Sequence, residues 1–103
     1  MSRDYVVGRI EDIPDKGSVA VRAGRQTIAV FRDGESFYAI HDNCPHKGGH
    51  MCQGEFEPQN ALVRCPIHLW GWSLRTGELE TDTRQMIRTY PVKVVDGQVV
   101  LSA

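Results

Sequence analysis

Two short segments, Cys44-Pro45-His46 and Cys65-Pro66-Ile67-His68, each offer one thiol and one imidazole, and 18 residues separate His46 from Cys65. A chain with this repeated donor pair has to fold so that both segments reach one place. Two loops with one Cys and one His apiece suit a binuclear iron–sulfide cluster, where two thiolates hold one iron and two imidazoles hold the other. Zinc takes the same donors and is the competing metal. Structural zinc sites usually place two or more residues between paired ligands. Cys44 and His46 have a single residue between them, so the spacing favours iron and keeps a zinc-stabilised, non-redox binding module as an alternative. Pro45 and Pro66 fix φ and remove a backbone donor directly after each Cys, which stiffens both segments. Gly48 and Gly49 permit a tight path that brings peptide N–H groups close to sulfur.

Residues 44–54, CPHKGGHMCQG, resemble the CPHxGxPLxxG loop of Rieske-type ferredoxins, and residues 65–78, CPIHLWGWSLRTGE, resemble their CPxHGWxFDLxTGE loop. The tail at residues 89–103, TYPVKVVDGQVVLSA, is similar to the closing β-hairpin of the same proteins. The resemblance is carried from about Phe31 to the C-terminus. It implies one Rieske 2Fe–2S cluster held by Cys44, His46, Cys65 and His68, with no catalytic residue. It also implies an antiparallel β-sandwich with two cluster-binding loops projecting from one end. The chain departs from the pattern in places: His50 stands where the family usually has Pro, and Leu69 where it often has Gly.

At 103 residues the chain is expected to form a single domain, 1–103. The net charge of −1 is spread without a basic block, which argues against nucleic acid as a partner. The opening MSRDYVVGRI has no apolar h-region and no long apolar run follows, so neither secretion nor a membrane span is expected. Cys52 is the odd third cysteine, and one spare thiol fits a cytoplasmic location better than a disulfide framework.

The pattern along the chain is all-β. Tyr5–Ile10, Ser18–Arg22, Gln26–Phe31, Ser36–Ile40, Ala61–Arg64, Trp72–Leu74, Val92–Val95 and Gln98–Leu101 read as short strands. Asp33-Gly34 and Asp96-Gly97 are expected hairpin connections, since a DG pair between strand-like runs is a strong turn signal. Pro58-Gln59-Asn60 and Thr76-Gly77 supply further turns. Glu11–Gly17 and Asp82–Gln85 read as irregular connections. Many short strands with regular turns predict antiparallel sheets in a sandwich or small barrel.

Charge arithmetic says what such a ligand set would do. Two ferric ions, two sulfides, two thiolates and two neutral imidazoles sum to zero when oxidised and to −1 when reduced. A four-thiolate cluster resists the added electron more, so imidazole ligation lifts the potential from about −400 mV towards roughly −150 to +300 mV. High-potential relatives in respiratory complexes carry hydroxyls two and four residues after the second His, where this chain has Trp70 and Trp72. They also bridge their loops at positions matching Gly49 and Ile67, which cannot form a disulfide. Both differences predict a low-potential carrier.

No GxGxxG motif occurs, and a mononuclear iron site of two His and a carboxylate has no domain to house it. The chain is therefore expected to pass electrons from a flavin-dependent reductase to a terminal oxygenase, without a small-molecule substrate of its own. The small Rieske-like subunit of an NAD(P)H-dependent nitrite reductase, with the large subunit as partner, is the alternative. His50 is expected at the cluster rim, His41 in a structural or solvated place, and Cys52 as an inert packing residue. Trp70 and Trp72 are expected to pack behind the second loop, with Trp70 able to reach the rim. Leu69 and Met51 are expected to be exposed, and Glu78–Asp82 to form a solvated face.

Overall fold

A computed structural model describes residues 3–43, 50–67 and 69–103 of the chain. Cys44, His46, His68, Gly48 and Gly49 lie outside the described residues. Among those described, twelve strands follow in order: β1 (Asp4–Arg9), β2 (Ser18–Ala23), β3 (Gln26–Asp33), β4 (Ser36–His41), β5 (Glu55–Glu57) and β6 (Leu62–Arg64), then β7 (Gly71–Ser73), β8 (Glu78–Leu79), β9 (Asp82–Met86), β10 (Thr89–Tyr90), β11 (Val92–Val95) and β12 (Gln98–Ser102). They form three antiparallel sheets with the orders β1-β12-β11, β10-β4-β3-β2 and β5-β6-β7-β8-β9. Single 3-10 turns at Ile10–Asp12, Met51–Gln53 and Pro58–Asn60 are the helical pieces described. None of the described helices is long and apolar enough to cross a membrane.

β3 explains why the layers stack. Ile28, Ala29, Val30 and Phe31 are all fully buried, a continuous apolar run of the kind that marks a strand covered on both faces. Side chains alternate along a strand, so this run feeds two cores. Ala29 and Phe31 join Ile40, Val63, Trp72, Leu74 and Leu79 in one cluster, towards the five-stranded sheet. Ile28 and Val30 join Ala39, Tyr90, Val99 and Leu101 in the other, towards the sheet that pairs the two ends of the chain. The four-stranded sheet is thus the middle layer.

The connections follow local backbone chemistry. Asp96 and Gly97, at φ 51° and 77°, link Val95 to its partner Gln98. Both central residues being left-handed is the requirement of a two-residue type I′ turn, and Asp-Gly meets it. At the other DG pair the structure differs from expectation. Asp33 belongs to β3 and pairs with Ser36, so the connecting residues are Gly34 and Glu35. Gly34, at φ 60°, takes the first loop position; Asp33 pairs with Lys16 at 2.9 Å and the Gly34 N–H donates to Asp15 Oδ1 at 2.7 Å.

Asp82–Gln85, read as irregular, is instead the start of β9, which pairs with β8 through an irregular register. Its polar sequence DTRQM packs no continuous apolar face, so the usual strand signal is missing. β5, β8 and β10 were also not anticipated, being two or three residues long. The first strand ends one residue early, at Arg9, where Ile10 begins a 3-10 turn within the expected connection. Glu78–Asp82 is not simply a solvated face either, because Leu79 is buried in the core and Glu80 pairs with Arg64.

Phe31 fills the centre of the larger cluster and meets Phe56 at 5.1 Å between ring centroids. Phe31→Ala should lower stability by about 3–5 kcal/mol, whereas exposed Val6→Ala should stay within about 0.5 kcal/mol. Urea denaturation of the two variants checks the contrast.

Candidate metal centre

Cys65 is the expected ligand that falls within the described residues, and it is completely buried. It leaves β6 into a turn that closes on itself: the Leu69 N–H donates to the Cys65 carbonyl at 2.8 Å, and the Cys65 N–H donates to the Trp70 carbonyl at 2.9 Å. This closed turn contains the sequence position of His68. The first segment is bracketed in a similar way. Asn43 and His50 form an isolated antiparallel bridge, and the Met51 N–H donates to the Asp42 carbonyl. Met51 and Cys65 belong to one core cluster, with Cys52 packed against it, so the exit of the first segment and the start of the second share an interior.

Gly54 makes that meeting possible. A Cβ at this position would overlap the Arg64 carbonyl oxygen and crowd the Met51 oxygen and the Val63 side chain. Only a residue without a side chain lets the chain pass from Gln53 into β5 while Glu55 pairs with Arg64. Ser18 secures the same exit from another strand, donating through Oγ to the Cys52 carbonyl at 2.8 Å.

Asp42 is 1% exposed, and both its carboxylate oxygens are engaged. Oδ1 accepts the Cys52 N–H at 3.0 Å and Oδ2 lies 2.9 Å from His50 Nδ1. Burial opposes its charge, but bonds from the Cys52 amide, the His50 ring and the Cys52 thiol outweigh that and hold the carboxyl below the usual range. On the second segment, Arg64 reaches Glu57 at 2.6 Å, Glu80 at 2.9 Å and the Leu69 carbonyl at 3.3 Å. It ties three parts of the chain to the residue just before Cys65.

His50 is exposed, as expected of a rim residue, and His41 is half-buried at the end of β4 with its Nδ1 covered. Trp72 is wholly buried in the core, while Trp70 is 40% exposed and stands with Ile67 and Leu69 at the surface. Met51, expected outside, is fully buried because the 3-10 turn at Met51–Gln53 rolls it inward among Phe31, Ile40 and Cys65. Leu69 has φ 59°, a left-handed conformation that explains why Gly suits this position in similar sequences. Asp42, Gly54 and Arg64 had not been singled out from sequence. A charged residue two positions before the first Cys–His segment, and a glycine closing its pattern, are the signals that point to the first two.

A fully buried thiol at the base of a closed turn, with residues 42–43 and 50–52 flanking the first Cys–His segment in the same all-β frame, fits the donor set of an iron–sulfur electron-transfer protein. The chain belongs to the Rieske [2Fe-2S] domain family, whose model matches residues 3–91. It is 36% identical over 96 residues to the anthranilate 1,2-dioxygenase ferredoxin subunit of Burkholderia cepacia, covering 92% of this chain and 87% of that one. It is 35% identical over 94 residues to the 3-phenylpropionate/cinnamic acid dioxygenase ferredoxin subunit of Photorhabdus laumondii, covering 90% and 88%. Among solved structures it is similar to a chain in the complex of reduced oxygenase and oxidised ferredoxin of carbazole 1,9a-dioxygenase. There the TM-score is 0.85 at 25% identity, covering 96% of this chain and 92% of the other. The cofactor is a Rieske-type 2Fe–2S cluster and the chain is an electron carrier, which sets the zinc module aside.

Two outcomes follow from this geometry. A left-handed non-glycine residue costs roughly 1 kcal/mol, so Leu69→Gly should leave stability unchanged or raise it by up to about 1 kcal/mol, measured as a shift in the denaturation midpoint. Burial, a hydrogen bond to Asp42 and that carboxylate's charge push the Cys52 thiol up to about 11. Alkylation of Cys52 in the native protein, followed by peptide mass spectrometry, should therefore be very slow at neutral pH. Its rate should climb about tenfold per pH unit through pH 8–10, with no plateau near the ordinary thiol value of about 8.5.

Proposed function

We propose that Cys44, His46, Cys65 and His68 hold the cluster, and that this single-domain chain carries one electron at a time from a flavin-dependent reductase to a terminal oxygenase in the cytoplasm. The observation that carries the partner reading is the likeness, above one-third identity and across most of both chains, to ferredoxin subunits of dioxygenases. That likeness favours an oxygenase over the large subunit of a nitrite reductase.

The donor set fits the group. The cluster supplies reversible one-electron storage, with its added charge spread over two irons and two sulfides. What the chain supplies is a fixed and largely dry seat. Cys65 is excluded from water, Trp72 closes the core beside the strand that leads to it, and Arg64 anchors the turn at the Leu69 carbonyl. Ile67, Leu69 and Trp70 expose apolar surface on this turn, which suits the small, brief contacts of electron-transfer partners.

The purified protein should be coloured and contain two irons and two acid-labile sulfides per chain, with an EPR signal typical of imidazole ligation after reduction. Cys44→Ser or Cys65→Ser should lose most of the iron, while Cys52→Ala should keep it. The midpoint potential should lie nearer about −150 mV than +300 mV and vary little around neutral pH. Voltammetry from pH 6 to 9 reads both. A value above roughly +100 mV at pH 7 would remove the oxygenase reading in favour of a quinol-linked role.

A further inference from the structure

Among the described residues, Asp42 is the one charged side chain that is fully buried. Removing a carboxylate from water costs several kcal/mol even when it is paired, and an apolar residue would occupy the same space more cheaply. Its surroundings show what it gains. Its backbone N–H donates to the Thr27 carbonyl at 3.0 Å, so it is fixed to β3. From that fixed point it reaches three consecutive residues on the far side of the first ligand segment. The backbone carbonyl takes the Met51 N–H, Oδ1 takes the Cys52 N–H at 3.0 Å, and Oδ2 faces His50 Nδ1 at 2.9 Å. All three oxygens of Asp42 are thereby committed to residues 50–52, just past the segment that contains Cys44 and His46.

We propose that Asp42 is a positioning residue for the cluster. Its carboxylate clasps residues 50–52 so that the Cys44–His46 segment is presented in one geometry, and His50 serves the clasp rather than the metal. This rests on the ligand assignment given above. The isolated Asn43–His50 bridge alone is a short restraint on the intervening segment.

The carboxylate's two functions can be separated by substitution. Asparagine keeps one acceptor for the Cys52 N–H, and its amide can donate to His50 Nδ1 in the opposite ring tautomer, so Asp42→Asn preserves the clasp without its charge. Alanine removes it. Residues that orient metal ligands typically carry about ten- to a hundredfold effects on metal retention. Decay of the visible absorption of the native holoprotein in excess iron chelator, below the unfolding temperature, reads this directly.

Asp42→Ala should lose its cluster about tenfold faster than the wild type, with a broadened EPR spectrum, while Asp42→Asn stays within about twofold. His50→Ala, at an exposed position that cannot collapse the core, should lose it a few-fold faster. Val99→Ala, which weakens the other core cluster, serves as a control for general destabilisation. The proposal is overturned if Asp42→Ala holds its iron like the wild type, or if Val99→Ala loses it as quickly. Should Asp42→Ala not fold, a wild-type rate in His50→Ala is the overturning result. Cys44→Ser retaining its iron would instead sink the ligand assignment, independently of the clasp.

Discussion

The close contact of Gly54 with the Arg64 carbonyl governs the rest of the molecule. Two donor segments far apart in sequence can share one cluster only if the backbone leaving the first comes within strand distance of the backbone entering the second. Glu55 pairs with Arg64, and Cys65 is the next residue along. The pairing that begins β5 therefore fixes where β6 delivers its thiol. A single methyl at residue 54 would push the two strands apart by the amount needed to clear a carbonyl oxygen. The five-stranded sheet is in this sense a spacer between the proposed ligand segments. Its burial of Val63, Trp72 and Leu79 against β3 and β4 keeps that spacing stiff.

Around this seat the chain departs from the preferences that hold elsewhere. Leu69 accepts a left-handed backbone, Asp42 accepts burial of a charge, and Met51 leaves the rim for the core. The first two cost stability, and both lie within two residues of a proposed ligand. Strain and buried charge persist where surrounding contacts over-determine them. For Leu69 those contacts are the Cys65 carbonyl, which takes its N–H, and Arg64, which donates to its own carbonyl. For Asp42 they are the amides and imidazole it collects. The local rules fail at the place where the fold has to hold something other than itself.

The same division decides what could be read from sequence. The β-rich frame was legible because Ile28–Phe31, Val92–Val95 and the Asp96-Gly97 turn each follow a local rule of alternation, burial or turn chemistry. The cluster type was legible from donor spacing and from the two loop patterns. β9 was missed because its polar residues pack no apolar face, and the Asp33-Gly34 turn was misplaced by one residue because Gly34, at φ 60°, is the first loop residue and not the second. The clasp at Asp42 was invisible for a related reason. Its partners lie eight to ten residues away across a ligand segment, and no periodicity links an acidic residue to the amide that will satisfy it.

The distribution of exposure across the second segment bears on how the electron leaves. Cys65 and Trp72 are sealed, while Ile67, Leu69 and Trp70 are open to solvent. With a net charge of −1, the whole molecule offers little long-range field to steer an encounter. On the proposed function, recognition would come from short-range contact at the turn itself, where apolar atoms lose water on docking and the partner meets the side that carries the proposed ligands. Such contacts are small, so they release quickly, which the proposed shuttling between two partners requires. A leucine that keeps a strained backbone while exposing its side chain adds apolar area where a glycine would offer none.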